Sequence, residues 1–197
     1  MNIFYLDREP KTCAEMHCDK HVVKMIIEYA QLLSTAHRIL DGTQDVEKRY
    51  VQGSLPARWR HIKVWKHPSE YMDKGLMRAS HINHPSNIWV RESKENYMWL
   101  CQMWLWLMKE YTHRYGKHHA CENRVEYLMD APKNIPSKAF TDPTPAMPEY
   151  CKVKNDSLSS YHKYYIQEKV RFAKWTARQM PAWYKQGVTN ADIQLPA

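Results

Sequence analysis

One segment of the chain spaces its polar residues in a way that would do chemistry. His17, His21, Lys24, Glu28 and Thr35 recur at helical intervals, so a helix through them would gather imidazole, ammonium and carboxylate groups into a narrow stripe. Met16, Val23, Ile26, Ile27, Ala30 and Leu33 share the opposite side, where the core face is expected. A stripe of this kind is ordinarily a solvated face. Here Met25 and Leu32 border it, and apolar edges around titratable groups fit the wall of a cleft better, which makes the stripe a candidate site. His17 and His21 also stand at the i, i+4 spacing of a two-histidine metal site, with Glu28 two turns further on. The glutamate of an H-E-x-x-H motif is missing, however, and Lys24 would set a cation among the ligands. No metal is assigned to the stripe, and no cofactor is expected.

A helix has to position these groups. Thr12-Cys-Ala-Glu15 has the form of a capping box, and the helix it would open runs to about Leu40, just before Asp41-Gly42. A second helix is expected from His84-Pro85-Ser86 to Tyr115, with Gly116 as its stop. Trp99, Leu100, Met103, Trp104, Leu107 and Met108 surround it almost completely, as in a buried central helix. Ser157 would cap a third helix to about Gln179, ended by Pro181. Residues 2–6 alternate weakly and would form a short strand or run extended into the core. Gly53, Pro56, Pro68 and Gly75 punctuate residues 41–80, and five prolines in 132–148 predict an extended surface loop. The expected fold is mainly α: a single compact domain spanning 1–197, with three long helices near 12–40, 86–115 and 157–179 and long irregular loops.

Composition narrows the partners. Five glycines against eleven Met, eight Trp and thirteen Tyr suit helices with aromatic-rich packing. The longest apolar run, Met98 to Met108, is broken by Gln102 and too short to cross a bilayer. The opening Met-Asn-Ile-Phe-Tyr-Leu-Asp lacks the basic flank and cleavage site of a secretory signal, so export is not expected. Five cysteines without a C-x-x-C pair indicate neither a disulfide framework nor a zinc finger, and suit a reduced cytoplasm. A net charge of +8 suits a polyanion. Two segments could track one: the basic-aromatic run Arg58 to His67, and the expected last helix. There Tyr161, Tyr164, Tyr165, Phe172 and Trp175 interleave with Lys163, Lys169, Arg171, Lys174 and Arg178. No Gly-rich phosphate loop, G-x-S-x-G or Cys–His signature is present.

Two short patterns point to a family. Asp19-Lys-His21 is followed, seven positions after the histidine, by Glu28, and a later segment reads Pro181-Ala-Trp183-Tyr184-Lys185. In these pieces the chain resembles the phage endonuclease V-type pyrimidine-dimer DNA glycosylases, small helical basic domains whose first residue lies in the active site. The resemblance implies a phage-encoded DNA-base-processing enzyme of the host cytoplasm that works on a flipped nucleotide by glycosylase/AP-lyase chemistry. Met1 would supply the α-amine that attacks the deoxyribose C1′ and forms a Schiff base. An α-amine, with a reference pKa of about 8, keeps a useful neutral fraction near pH 7. Glu28 would handle protons or stabilise the cationic sugar, and His21 would orient the DNA or the carboxylate. His17, Lys24, Arg38, Lys169, Arg171, Lys174, Trp183, Tyr184 and Lys185 are the expected DNA contacts. The family sets arginines beside its catalytic helix. Here Arg38 alone lies there, with Lys20 and Lys24 as partial substitutes.

Two other readings use the same residues. In one, a phage base-hypermodification transferase acts on an activated thymidine in DNA, and His21, Lys24 and Glu28 activate an amine nucleophile or stabilise a leaving group. In the other, the chain is a non-enzymatic DNA-binding or host-takeover protein whose stripe is solvated. DNA is the expected partner throughout; no membrane and no obligate protein partner is expected.

Overall fold

The chain enters its own core at once. In the computed structural model, which describes residues 1–51 and 58–191, Ile3, Tyr5 and Leu6 are buried in an extended run that is not a strand. Gly53 and Pro56 lie outside the described residues. Helix α1 (Pro10–Met16) begins earlier than expected, because Pro10 presets the first helical φ and the Glu9 carboxylate accepts from Thr12 N at 2.6 Å. The Thr12–Glu15 capping box therefore does not form.

Two of the three expected long helices are divided, and the third, expected over 157–179, ends at Lys169. His17 and Cys18 are extended, and helix α2 (Asp19–Leu40) starts after them. The Asp19 amide donates to the Lys174 carbonyl at 2.8 Å instead of continuing α1. Helix α3 (Glu70–Gly75) is short, and helices α4 (Pro85–Glu92) and α5 (Lys94–Tyr115) are separated by Ser93 at φ −152° and ψ 152°. Ser93 Oγ caps α5 by accepting from Asn96 N at 3.0 Å, while the Lys94 amide turns out to the Pro136 carbonyl. Gly116 does end α5, in the left-handed conformation at φ 66°. After α6 (Val125–Leu128), helix α7 (Ser157–Tyr164) widens into a π turn at Tyr165–Lys169 and stops, and α8 (Ala182–Asn190) follows Pro181.

Strands β1 (Thr43–Val51) and β2 (Arg58–Lys66) form an antiparallel hairpin, in register from Thr43 opposite Lys66 to Val51 opposite Arg58. The mainly-α domain of three long helices is thus replaced by a mixed architecture: eight α-helices among the described residues, with a two-stranded sheet. Periodicity located the helical stretches and overlooked their breaks, which distant partners stabilise. No helix among the described residues is long and apolar enough to cross a membrane.

Helix α5 packs on α1, α2 and α4. Burying an indole leaves its N–H in need of an acceptor, and each buried tryptophan ties two segments by meeting that need. Trp104 donates to Ile26 O, Trp99 to Arg8 O, Trp89 to Thr141 O and Trp175 to Met16 O, at 2.7–3.0 Å. The loop over 132–148 is extended, as its prolines predict, and is held across the core by Thr141 N donating to Asn96 Oδ1 and Tyr5 Oη to Asp142. Helix α2 is covered on more than one side. Val22, Met25, Tyr29 and Leu32 are buried with Ile26, Ala30 and Leu33, whereas Val23 and Ile27, expected inside, are 43% and 48% exposed.

Candidate active site at the start of the chain

Several anchors fix the first residues. The Asn2 amide group donates to Ala146 O at 2.8 Å, the Phe4 amide donates to Tyr29 Oη at 3.2 Å, and Ile3 is fully buried between them. This places the Met1 nitrogen 3.8 Å from Glu28 Oε2, while the other Glu28 oxygen lies 3.2 Å from Lys24 Nζ, one turn earlier on α2. Both groups open onto a cavity of about 380 Å³ whose lining includes Phe4, Lys20, His21, Lys169 and Phe172. Lys20, Lys24 and Lys169, together with the amine, outnumber the Glu28 carboxylate, so the mouth attracts anions. Lys169 Nζ lies 2.9 Å from Tyr164 Oη, and Lys20 Nζ lies 4.9 Å from the Phe172 ring centre.

The two histidines of the stripe differ in role. His17 is fully buried: its Nδ1 meets Cys13 O at 2.7 Å and its Nε2 meets Tyr29 Oη at 3.0 Å. A carbonyl can only accept, so Nδ1 carries the hydrogen and Nε2 accepts from the tyrosine. Both nitrogens are used, which removes His17 as a metal ligand and as a DNA contact. Its burial lowers its pKa to about 4. His21 is 6% exposed, stacked on Phe4 at 4.1 Å, with Nδ1 2.5 Å from Tyr165 Oη. Burial first, then the positive fields of His17, Lys169 and Lys24, push its pKa down to about 2. Near pH 7 His21 is therefore a neutral imidazole and adds no positive charge to the cavity. His21 lines the cavity and steadies Phe4.

The remaining expected DNA contacts separate by burial. Arg38 is 5% exposed and spends its guanidinium on Asp73 Oδ1 and on the carbonyls of Trp65, Asp73, Leu76 and Met77. It clamps the hairpin's exit to α2 and is not available to a phosphate. Tyr184 is fully buried. Trp183 is half-buried, stacked on His162 at 3.8 Å with its N–H toward Met16 Sδ. Lys24 and Lys169 line the cavity; Arg171, Lys174 and Lys185 are exposed. The run Arg58 to His67 forms β2 and its exit, with Trp59 61% exposed opposite Tyr50 on β1.

The sequence assigns no site role to Asn2 or Phe4, and it places Tyr164 and Phe172 among the aromatics of a basic last helix rather than beside Glu28. Lys20, read from the sequence as a partial substitute for the family's arginines, lines the cavity one turn before Lys24; Phe4 carried no signal, because nothing local says that an extended segment will lie against α2. Asp19, the first residue of the Asp-x-His pattern, accepts from Arg114 Nη1 at 2.8 Å and from Thr176 N at 2.9 Å. It belongs to an ionic cluster with Arg114, Glu110 and Arg178, buried at Arg114 and Glu110, which fastens the segment after α7 onto α5. Comparison with family models, with curated proteins and with solved structures gave no match, so the likeness to the pyrimidine-dimer glycosylases stays with the short patterns themselves.

Proposed function

We propose that the cavity receives a flipped nucleotide of DNA and that the Met1 α-amine attacks its sugar, giving glycosylase/AP-lyase chemistry. One observation carries the reading: an amine nitrogen and a helix-borne carboxylate 3.8 Å apart in a cavity whose lining includes three lysines and several aromatic rings. Glu28 takes a proton from the ammonium, and the free nitrogen bonds to C1′. The glycosidic bond breaks, the base leaves with its electron pair and takes the proton from Glu28, and a proton passes from the attached nitrogen to the ring oxygen as the ring opens to an iminium ion at C1′. Loss of a C2′ proton then expels the 3′ phosphate, and water releases the amine. The nearby Glu28 carboxylate favours the cation as it forms. Lys20, Lys24 and Lys169 meet the phosphates, and Phe4 and Phe172 offer ring surface to the extruded nucleotide.

The chemistry requires a free amine on Met1, and this gives the test. A short Gly-Ser extension ahead of Met1 displaces the nucleophile and leaves every lysine in place. The extended protein should bind an abasic-site duplex as before and fail to nick it. Nicking at an unchanged rate would refute the role of the amine.

A further inference from the structure

The carboxyl end of α2 holds a second cluster, independent of the amine cavity. His37, Asp41 and His67 bring one candidate ligand atom each to within 4.8 Å of one another, His37 buried and the other two half-buried. His37 and Asp41 share the end of α2, and His67 follows β2, so the cluster forms where the hairpin leaves the body of the protein.

The hydrogen bonds of His37 fix its tautomer. Nε2 lies 3.0 Å from Tyr97 Oη and 3.2 Å from Asp130 O. The Tyr97 hydroxyl donates its only hydrogen to Leu128 O at 2.9 Å, and the Asp130 carbonyl can only accept. Nε2 therefore carries the hydrogen, and Nδ1 is a bare lone pair. That nitrogen is buried, makes no hydrogen bond, and faces Asp41 Oδ2 at 3.9 Å. A lone pair aimed at a carboxylate is unfavourable unless a cation stands between them.

Asp41 is prepared in the same sense. Its two oxygens accept from the backbone amides of Lys133 at 2.8 Å and Asn134 at 2.9 Å, which orient the carboxylate and leave lone pairs for a further partner. An imidazole whose remote N–H is given to a carbonyl, beside a carboxylate held by amides, has the outer hydrogen bonds of a metal ligand set. His67 is the ligand that adjusts: its Nδ1 accepts only a 3.2 Å contact from Ser69 N.

We infer that His37, Asp41 and His67 form a binding site for one divalent transition-metal ion of the zinc class. Two imidazoles and one carboxylate suit zinc, with a fourth position left to water. The ion would join α2, the exit of the hairpin and, through Asp130, Lys133 and Asn134, the start of the proline-rich loop.

The test uses the full chain, stripped with a chelator and titrated with zinc chloride by calorimetry, then with cobalt(II) by visible absorption. One equivalent of zinc should bind, and cobalt should give the intense visible bands of a four-coordinate site. His67→Ala and His37→Gln should each weaken zinc binding by more than about tenfold, the loss that removing even an outer partner brings. His118→Ala, an exposed histidine paired with Glu122, should change nothing. Should His37→Gln fail to fold, the half-buried His67 still decides the matter. Absence of zinc uptake, or uptake that His67→Ala leaves intact, overturns the assignment.

Discussion

Helix α2 carries polar clusters at both ends, and they differ in how far their bonding capacity is already used. At the amino end, Glu28 and Lys24 face a cavity, with Lys24 70% exposed and the Met1 nitrogen at ion-pair distance. At the carboxyl end, Arg38 is enclosed and its guanidinium is occupied by one carboxylate and four carbonyls. A charged side chain whose hydrogen bonds are taken up by its own backbone holds the fold together. One that faces open volume is free for a ligand. The contrast also divides the histidines: His17 has both nitrogens engaged, whereas His37 has one engaged and one bare.

The comparison predicts opposite outcomes for substitutions at the two ends. Glu28→Gln keeps the shape of the cavity and removes the charge, so turnover on an abasic duplex should fall by roughly 10²–10⁴-fold. Its stability should move by less than about 1 kcal/mol, because the pair with exposed Lys24 is a surface one. A variant that nicks normally would return Glu28 to a solvated face. Arg38→Met should do the reverse, lowering unfolding free energy by about 3 kcal/mol or more, since several carbonyls and Asp73 lose their partner. DNA affinity of the folded variant should be unchanged. A large affinity loss without destabilisation would make Arg38 a contact after all.

A smaller effect per residue follows from the buried imidazoles. His17 and His21 are held neutral, with folded pKa values of about 4 and about 2 against an ordinary 6.5. Below pH 6.5 the unfolded chain therefore binds protons that the folded chain refuses, and stability is lost as pH falls from there. At pH 5 the loss should be about 2 kcal/mol for each imidazole, read as a lower urea midpoint than at pH 7.5. Equal midpoints at the two pH values would mean that neither ring is buried as described.

Sequence spacing found the groups at the amino end of α2 because they share one helix, and a helix fixes its own geometry. It did not distinguish engaged from available side chains. Arg38 and Lys24 look alike in the sequence; what separates them is the chain from Asp73 to Met77, which folds over Arg38 from a distance. The helix breaks at His17–Cys18 and Ser93 were hidden for the same reason, since their freed amides find partners at Lys174 and Pro136. Ser93 itself was a legible cap. The hairpin was obscured because most of its residues are exposed, and the half-buried positions that alternate along β1 include the charged Glu47 and Arg49.

The central claim is that the nucleophile is the amine of Met1 and not a lysine of the cavity. Borohydride added to the protein with an abasic-site duplex should trap a covalent adduct, and mass spectrometry of the tryptic digest should place the sugar remnant on the α-nitrogen of the peptide Met1 to Arg8. Failure to trap an adduct, or an adduct on the side chain of Lys20, Lys24 or Lys169, would contradict the account.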